Sequence, residues 1–208
     1  MGLSASDKGN GKDFDPIPEG IHPALCYQVI DLGMQFSEKW GKSSHKCLIG
    51  WELPEVRMEI DRDGEKLDLP KVISKIYTVS LHQKASLRKD LETWRSRSFT
   101  EQDLKGWDLK KVLGVPCELQ ILHAVVNDRT YSNVSLILPA KFKAKETENP
   151  QRFFSFEDGG EPPEELPDWI LDIIHKSDEW LARQDAPPPT EYEEHPDVSS
   201  GDDSDIPF

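Results

Sequence analysis

From Ile21 to Phe36 the chain is apolar on both parities and long for a strand, and Gly33 inside it marks a bulge or bend where that strand curls, as small barrels require. Ser37 to Ser44 follows as a polar loop. His45 to Leu53 reads as a second strand stopped by Pro54, and Arg57 to Leu69 as a small projecting hairpin turned by Asp61-Arg62-Asp63-Gly64. The β-rich run Val72 to Leu81 makes a third main strand. The period then changes. Leu87, Leu91 and Trp94 recur at helical spacing between Ala85 and Trp94, with Ser86 as N-cap. A helical turn over Asp108 to Leu113 is closed by Gly114 and Pro116. Two strands, Cys117 to Val126 and Thr130 to Leu138, are joined by a turn at Asn127-Asp128-Arg129 and ended by Pro139. Strands, a helix and a closing hairpin predict a mainly β fold, a five-stranded Greek-key barrel of the oligonucleotide-binding type (OB-fold) with an inserted helix and a β-hairpin extension. A small sandwich with an inserted helix leaves a similar pattern.

Beyond Lys145 the composition shifts to Pro, Glu and Asp, interrupted by one island. Trp169, Ile170, Ile173, Ile174, Ser177, Trp180 and Leu181 form a single helical stripe, which predicts a C-terminal amphipathic helix covered by the barrel or by another subunit. Pro167 suits its first turn, and Asp168 and Asp172 its N-terminal half. Trp169 and Trp180 read as packing residues. The expected organisation is a disordered leader over 1–18, the OB-fold barrel over 19–146, an acidic segment with the amphipathic helix over 147–184, and a disordered acidic tail over 185–208. The tail begins with a stiff Ala186-Pro187-Pro188-Pro189-Thr190 spacer and continues into a flexible Ser199-Ser200-Gly201 one.

Charge sharpens this division. The net charge is −14, yet residues 147–208 carry 18 acids against Arg152, Lys176 and Arg183, a net of −15, which leaves +1 for 1–146. A near-neutral body can present a basic groove, while an acidic tether has its own partners and can compete for that groove with a polyanionic ligand. The three cysteines, Cys26, Cys47 and Cys117, are widely spaced without a Cys-x-x-Cys pair, so neither a disulfide framework nor a zinc site is expected, and a reducing cytoplasm is. No stretch reaches the roughly 18 to 20 apolar residues that cross a bilayer.

The sequence holds no His-Glu-x-x-His, no Gly-x-Ser-x-Gly and no phosphate-binding Gly-x-x-x-x-Gly-Lys, so neither catalysis nor a cofactor is expected. Single-stranded nucleic acid asks instead for aromatic faces among Lys and Arg. Lys39, Trp40, Lys42 and Lys46, then Trp51, Lys75 and Tyr77, then Lys84, Arg88, Arg95 and Arg97, with Lys89 beside them, supply that combination. Trp51 and Trp94 alternate with apolar neighbours and read first as core. Tyr77 divides evenly between core and groove. Trp40 lies among basic residues in a polar loop, where a stacking or interface role fits best, and the basic run from Lys84 to Arg97 fits a solvated helix face as well as a phosphate contact.

The segment Asp202-Asp203-Ser204-Asp205-Ile206-Pro207-Phe208 resembles the C-terminal tip of bacterial single-stranded DNA-binding proteins. The runs Ile49-Gly50-Trp51-Glu52-Leu53-Pro54, Ser86 to Arg95, Leu113-Gly114-Val115-Pro116-Cys117 and Pro167-Asp168-Trp169-Ile170 look like those of bacteriophage-encoded single-stranded DNA-binding proteins. This resemblance implies a protein that coats single strands in the host bacterial cytoplasm during replication, recombination and repair. The tip would recruit partner enzymes: the Phe208 ring enters an apolar pocket, its carboxylate meets an Arg or Lys, and Asp202, Asp203 and Asp205 attract a basic rim beside Ile206 and Pro207. The alternative is an adaptor or decoy that engages host replication proteins without binding DNA.

Overall fold

A strand that is apolar on both parities has to be covered on both faces, and β1 (Gly20–Ser37) is. In the computed structural model of the chain, which describes residues 15–62, 64–142 and 146–184, Ala24, Cys26 and Val29 of β1 enter one hydrophobic cluster while Ile30 and Leu32 enter a second. Cys26 and Val29 are separated by an odd number of positions, which a regular strand sends to opposite faces. The register shift between Cys26 and Gln28 supplies the extra residue. A second shift, between Asp31 and Gly33, is the expected bend. Gly33 has a φ of 69°, and a Cβ added there would lie 2.6 Å from the Ser177 Cβ.

β2 (Lys42–Arg62) does not stop at Pro54, and the projecting hairpin is not separate from it. β2 pairs antiparallel with β3 (Glu65–Thr78) from Lys46 opposite Thr78 out to Arg62 opposite Glu65. The register jumps between Leu53 and Arg57, so Pro54 sits in a bulge where the ladder does not need the N–H that proline lacks. Next comes α1 (Ser86–Arg95), which buries Leu87, Leu91 and Trp94 as its spacing predicts. Its N-cap is Ala85 and not Ser86, without a side-chain cap, and it ends at Ser96 in the left-handed region. Trp94 packs 5.9 Å from Trp51, ring to ring, and its Nε1 donates to the Pro116 carbonyl. β4 (Pro116–Val126) and β5 (Arg129–Pro139) close on the tight turn Asn127-Asp128, both at positive φ, with Arg129 already in the strand.

Among the described residues the chain is mainly β with three α-helices. The strand order is β3-β2-β1-β4-β5, antiparallel throughout, and the end strands β3 and β5 approach each other as the sheet curls around the first cluster, with α1 against both. Residues 15–18 belong to this body: Ile17 is buried in the first cluster, and its carbonyl receives the Ser132 hydroxyl and pairs with the His123 ring, which corrects the expected leader.

Residues 146–184 cover the outer face of β1 and β2. A short strand that the pattern did not predict, β6 (Arg152–Phe154), pairs parallel with Gln28–Ile30 of β1. The predicted single helix is two, α2 (Asp168–Ile174) and α3 (Asp178–Gln184), because Ser177 interrupts it. The buried Ser177 hydroxyl donates to the Ile174 carbonyl and accepts from the Trp180 N–H, ending one helix and capping the next. Ile170 and Ile174 bury against Ile30, Leu32 and Leu48, but Trp169 is 47% exposed and is not a packing residue. Polar anchors hold this cover in place. The Glu52 carboxylate accepts from the Glu148 and Asn149 amides, Asp31 from the Phe156 amide and Glu179 from the Met34 amide. Among the described residues no helix is long and apolar enough to cross a membrane.

Candidate nucleic-acid interface

The chain leaves α1 through the left-handed Ser96 and folds back beneath it, which carries Phe99 into the core and brings the next aromatic residue, Trp107, beside the last residue of the helix. The Arg95 guanidinium lies 4.5 Å from the Phe99 ring and 5.1 Å from the Trp107 ring. The two rings meet edge to face at 5.5 Å. Arg95 also stands 3.6 Å from Asp103, whose carboxyl is held below its usual range first by the hydrogen bond from the Thr100 amide and further by Arg95. Asp108 then caps a tight turn over Leu109–Val112 by accepting from the Lys110 amide, and that turn presents Lys110 and Lys111 in succession. Lys111 brings its ammonium to 6.0 Å from the Trp107 ring.

Trp94, Trp107, Val112 and Val115 wall a cleft of about 420 Å³, in which Arg95, Arg97 and Lys111 face a single carboxylate, Asp103. Its aromatic wall is Trp107, backed by Trp94. An aromatic face bordered by three cations is the combination that holds an unpaired base and the phosphates on either side of it. A second, larger cleft of about 700 Å³ also has Trp107 in its lining.

The residues expected from the sequence fall into three groups. Lys39, Trp40, Lys42, Lys84 and Arg97 are exposed. Trp40, 70% exposed, stands at the tip of the β1–β2 turn with the Lys39 ammonium 5.2 Å from its ring; this loop lines neither cleft. Lys46, Lys75, Arg88 and Arg95 are half-buried. Lys46 donates to the Thr78 hydroxyl, Lys75 to Asp90, and Arg88 to Glu92 and the Leu81 carbonyl, so their charges are already matched or hydrogen-bonded within the fold. Trp51 and Tyr77 are core. Trp51 is 0% exposed and Tyr77 is 2% exposed with its hydroxyl donating to Asp90, so neither ring offers a face to a base, and both are corrected as contacts. Burial, with the Asp90 carboxylate second, pushes the Tyr77 hydroxyl well above the usual tyrosine range. Of the expected residues only Arg95 and Arg97 share a cleft. The tip residues Asp202, Asp203, Asp205, Ile206, Pro207 and Phe208 lie outside the described residues.

Trp107, Lys110 and Lys111 were missed, although the signal was present. Lys105-Gly106-Trp107-Asp108-Leu109-Lys110-Lys111 repeats the basic-aromatic pattern that singled out Lys39-Trp40-Gly41-Lys42. Among the described residues no group of three or more His, Cys, Asp or Glu could hold a metal ion. No protein-family model and no curated protein matches the chain.

Proposed function

We propose that the chain binds single-stranded DNA without sequence preference, protects it during replication, recombination and repair, and recruits partner enzymes through residues 202–208. The observation that carries this reading is the cleft in which Trp107 stands among Arg95, Arg97 and Lys111. The fold supports it. A strand order of 3-2-1-4-5 with a helix between the third and fourth strands is the order of an OB-fold barrel, a common scaffold for single strands. Aromatic stacking and phosphate neutralisation are both indifferent to base identity, which gives affinity without sequence preference. Cys26, Cys47 and Cys117 are free and buried, which suits the reducing cytoplasm proposed as its compartment. No catalytic step is assigned to the chain.

Anisotropy titration of a labelled oligo-dT tests this. Trp107→Ala removes one stacking face, at about 1–3 kcal/mol per base or roughly 5- to 150-fold in Kd. Arg97→Glu with Lys111→Glu weakens binding further and lowers the dependence on salt by about one unit of slope per lost phosphate contact. A full chain that does not bind oligo-dT at low salt refutes the reading and leaves the adaptor that binds only proteins.

A further inference from the structure

β3 and β5 end the sheet, and their outer edges are built differently. β3 carries Lys66, Asp68, Pro70, Lys71 and Lys75, the kinds of residue that keep a strand edge from pairing with another chain. β5 has no charge, proline or glycine from Thr130 to Leu138. It pairs with β4 alone, and although β3 and α1 lie near it, among the described residues no other segment's backbone hydrogen-bonds to it. The bulge that leaves Ser135 without a partner in β4 lies inward of Val134, so Arg129–Val134 is a regular, unprotected edge.

That edge belongs to a segment short of support. β1 begins opposite Ile121, and beyond this point β4 and β5 form a two-stranded ribbon, which is marginal in water by itself. The residues before β1 touch one face of the ribbon, through His123 and Ser132. On the other face Leu122 and Val126 stand in line with Ala124, which Tyr131 faces across the pair, and Leu122, Val126 and Tyr131 are exposed. A strand added along β5 would widen the ribbon and satisfy its free backbone groups.

The remainder of the chain does not supply that strand. Residues 1–14 are rich in Gly, Asp and Lys, and residues 185–208 hold five prolines and eight acids, compositions that do not extend a sheet. β5 of a second copy does suit. Its β-branched and aromatic residues favour strands, and its one charge at neutral pH, Arg129, falls opposite Asn133 of the second copy when antiparallel pairing centres on Tyr131, or opposite Ser135 when it centres on Ser132. No like charges meet in either register, and Tyr131 lies at or beside the axis, where aromatic cross-strand contacts add stability.

We propose that the chain forms a two-fold dimer in which β5 pairs antiparallel with β5 of a second copy, so that the sheet continues from β4 and β5 into their counterparts. The surface shares no residue with the basic cleft around Trp107, and the dimer does not depend on DNA binding. An edge this short makes a small interface of the transient class, with a Kd on the order of 10 μM.

Sedimentation equilibrium of the full chain tests this from about 1 to about 300 μM, in about 0.15 M salt to screen the repulsion between two chains of net charge −14. A monomer–dimer transition is expected, and hydrogen exchange at the two extremes should show the amides of Arg129–Val134 gaining protection in the dimer while those of β3 do not change. Tyr131→Lys and Tyr131→Glu, at an exposed position, should each weaken the dimer by roughly tenfold or more, because each sets like charges together at the axis. Mixing the two variants should restore a 1:1 dimer, and Val72→Lys on β3 should leave the parent transition unchanged. A chain that stays monomeric throughout overturns the proposal and leaves the edge to a strand of another protein. A dimer that Tyr131→Lys leaves within twofold of the parent, or a mixture of the two variants that stays monomeric, also overturns it, whether or not the chain binds DNA.

Discussion

Replacing Glu52 by Gln tests how the cover over β1 and β2 is held. The Glu52 carboxylate is 0% exposed and accepts three hydrogen bonds at 2.8 Å, one oxygen from the Glu148 amide and the other from the Asn149 amide and its side-chain nitrogen. Glutamine has the same shape but only one acceptor oxygen. Its best placement keeps the two Asn149 bonds and turns an NH₂ toward the Glu148 N–H, donor against donor. The lost charge-assisted bond is worth about 1.5–3 kcal/mol and the unmet donor about 1–3 kcal/mol more, offset in part because a neutral amide costs less to bury than a carboxylate. A net loss of about 3 kcal/mol corresponds to a Tm lowered by roughly 6–12 °C for a domain of this size. Urea unfolding and hydrogen exchange check it together. The amides of Glu148 and Asn149 should lose protection before those of Leu48 and Ile49 in the sheet beneath. A stability change below about 0.5 kcal/mol with full protection at both amides would show that the carboxylate does not anchor the segment.

Deleting residues 202–208 should leave oligo-dT binding equal or slightly tighter while abolishing pulldown of replication proteins; undiminished pulldown refutes recruitment through that segment. Glu92 is held below the usual carboxylate range by the Phe99 amide first and by Arg88, so its contribution to stability is present above the ordinary Glu pKa and is lost as pH falls through the depressed folded value. Glu92→Gln should therefore be the less stable protein at pH 7 and converge with the parent in strong acid, and parallel stability curves from pH 2 to 7 would contradict this. Burial pushes the Cys47 thiol up to about 12 and raises Cys26 and Cys117 as well, so the native chain should not react with a disulfide reagent at pH 8, whereas all three thiols react in urea. Rapid labelling of the folded chain would mean that the core opens locally.

Local pattern carried much of this structure. Leu87, Leu91 and Trp94 predict α1, Gly33 predicts the bend in β1, and the turn at Asn127 and Asp128 predicts the β4–β5 hairpin, because each signal lies within one or two turns of chain. Where the pattern misled, a partner distant in sequence overrode a local preference. Pro54 should end a strand, but β3 pairs with β2 on both sides of it and the bulge absorbs the missing donor. Ser177 continues the helical stripe of Ile170 and Ile174, yet Gly33 allows so close an approach that the serine is buried and its hydroxyl bonds the backbone of both helices. β6 has three residues and little signal of its own; it exists because β4 leaves β1 after Leu25 and the edge beyond it is open to pairing.

The same division applies to function. Sequence alone determined the kinds of residue available: a near-neutral body rich in paired aromatic and basic positions, an acidic region after it, and buried-type cysteines in a chain without catalytic motifs. Only the tertiary structure decided which of them can meet a ligand. A strand hides alternate residues, so Trp51 and Tyr77 turn into the core while Trp40 stays in solvent. The fold back beneath α1 sets Trp107 beside Arg95, where it lines one cleft with Arg97 and Lys111. Charge and aromaticity are properties of residues, but a binding site is a property of distances between residues far apart in the chain, and those distances are set by packing.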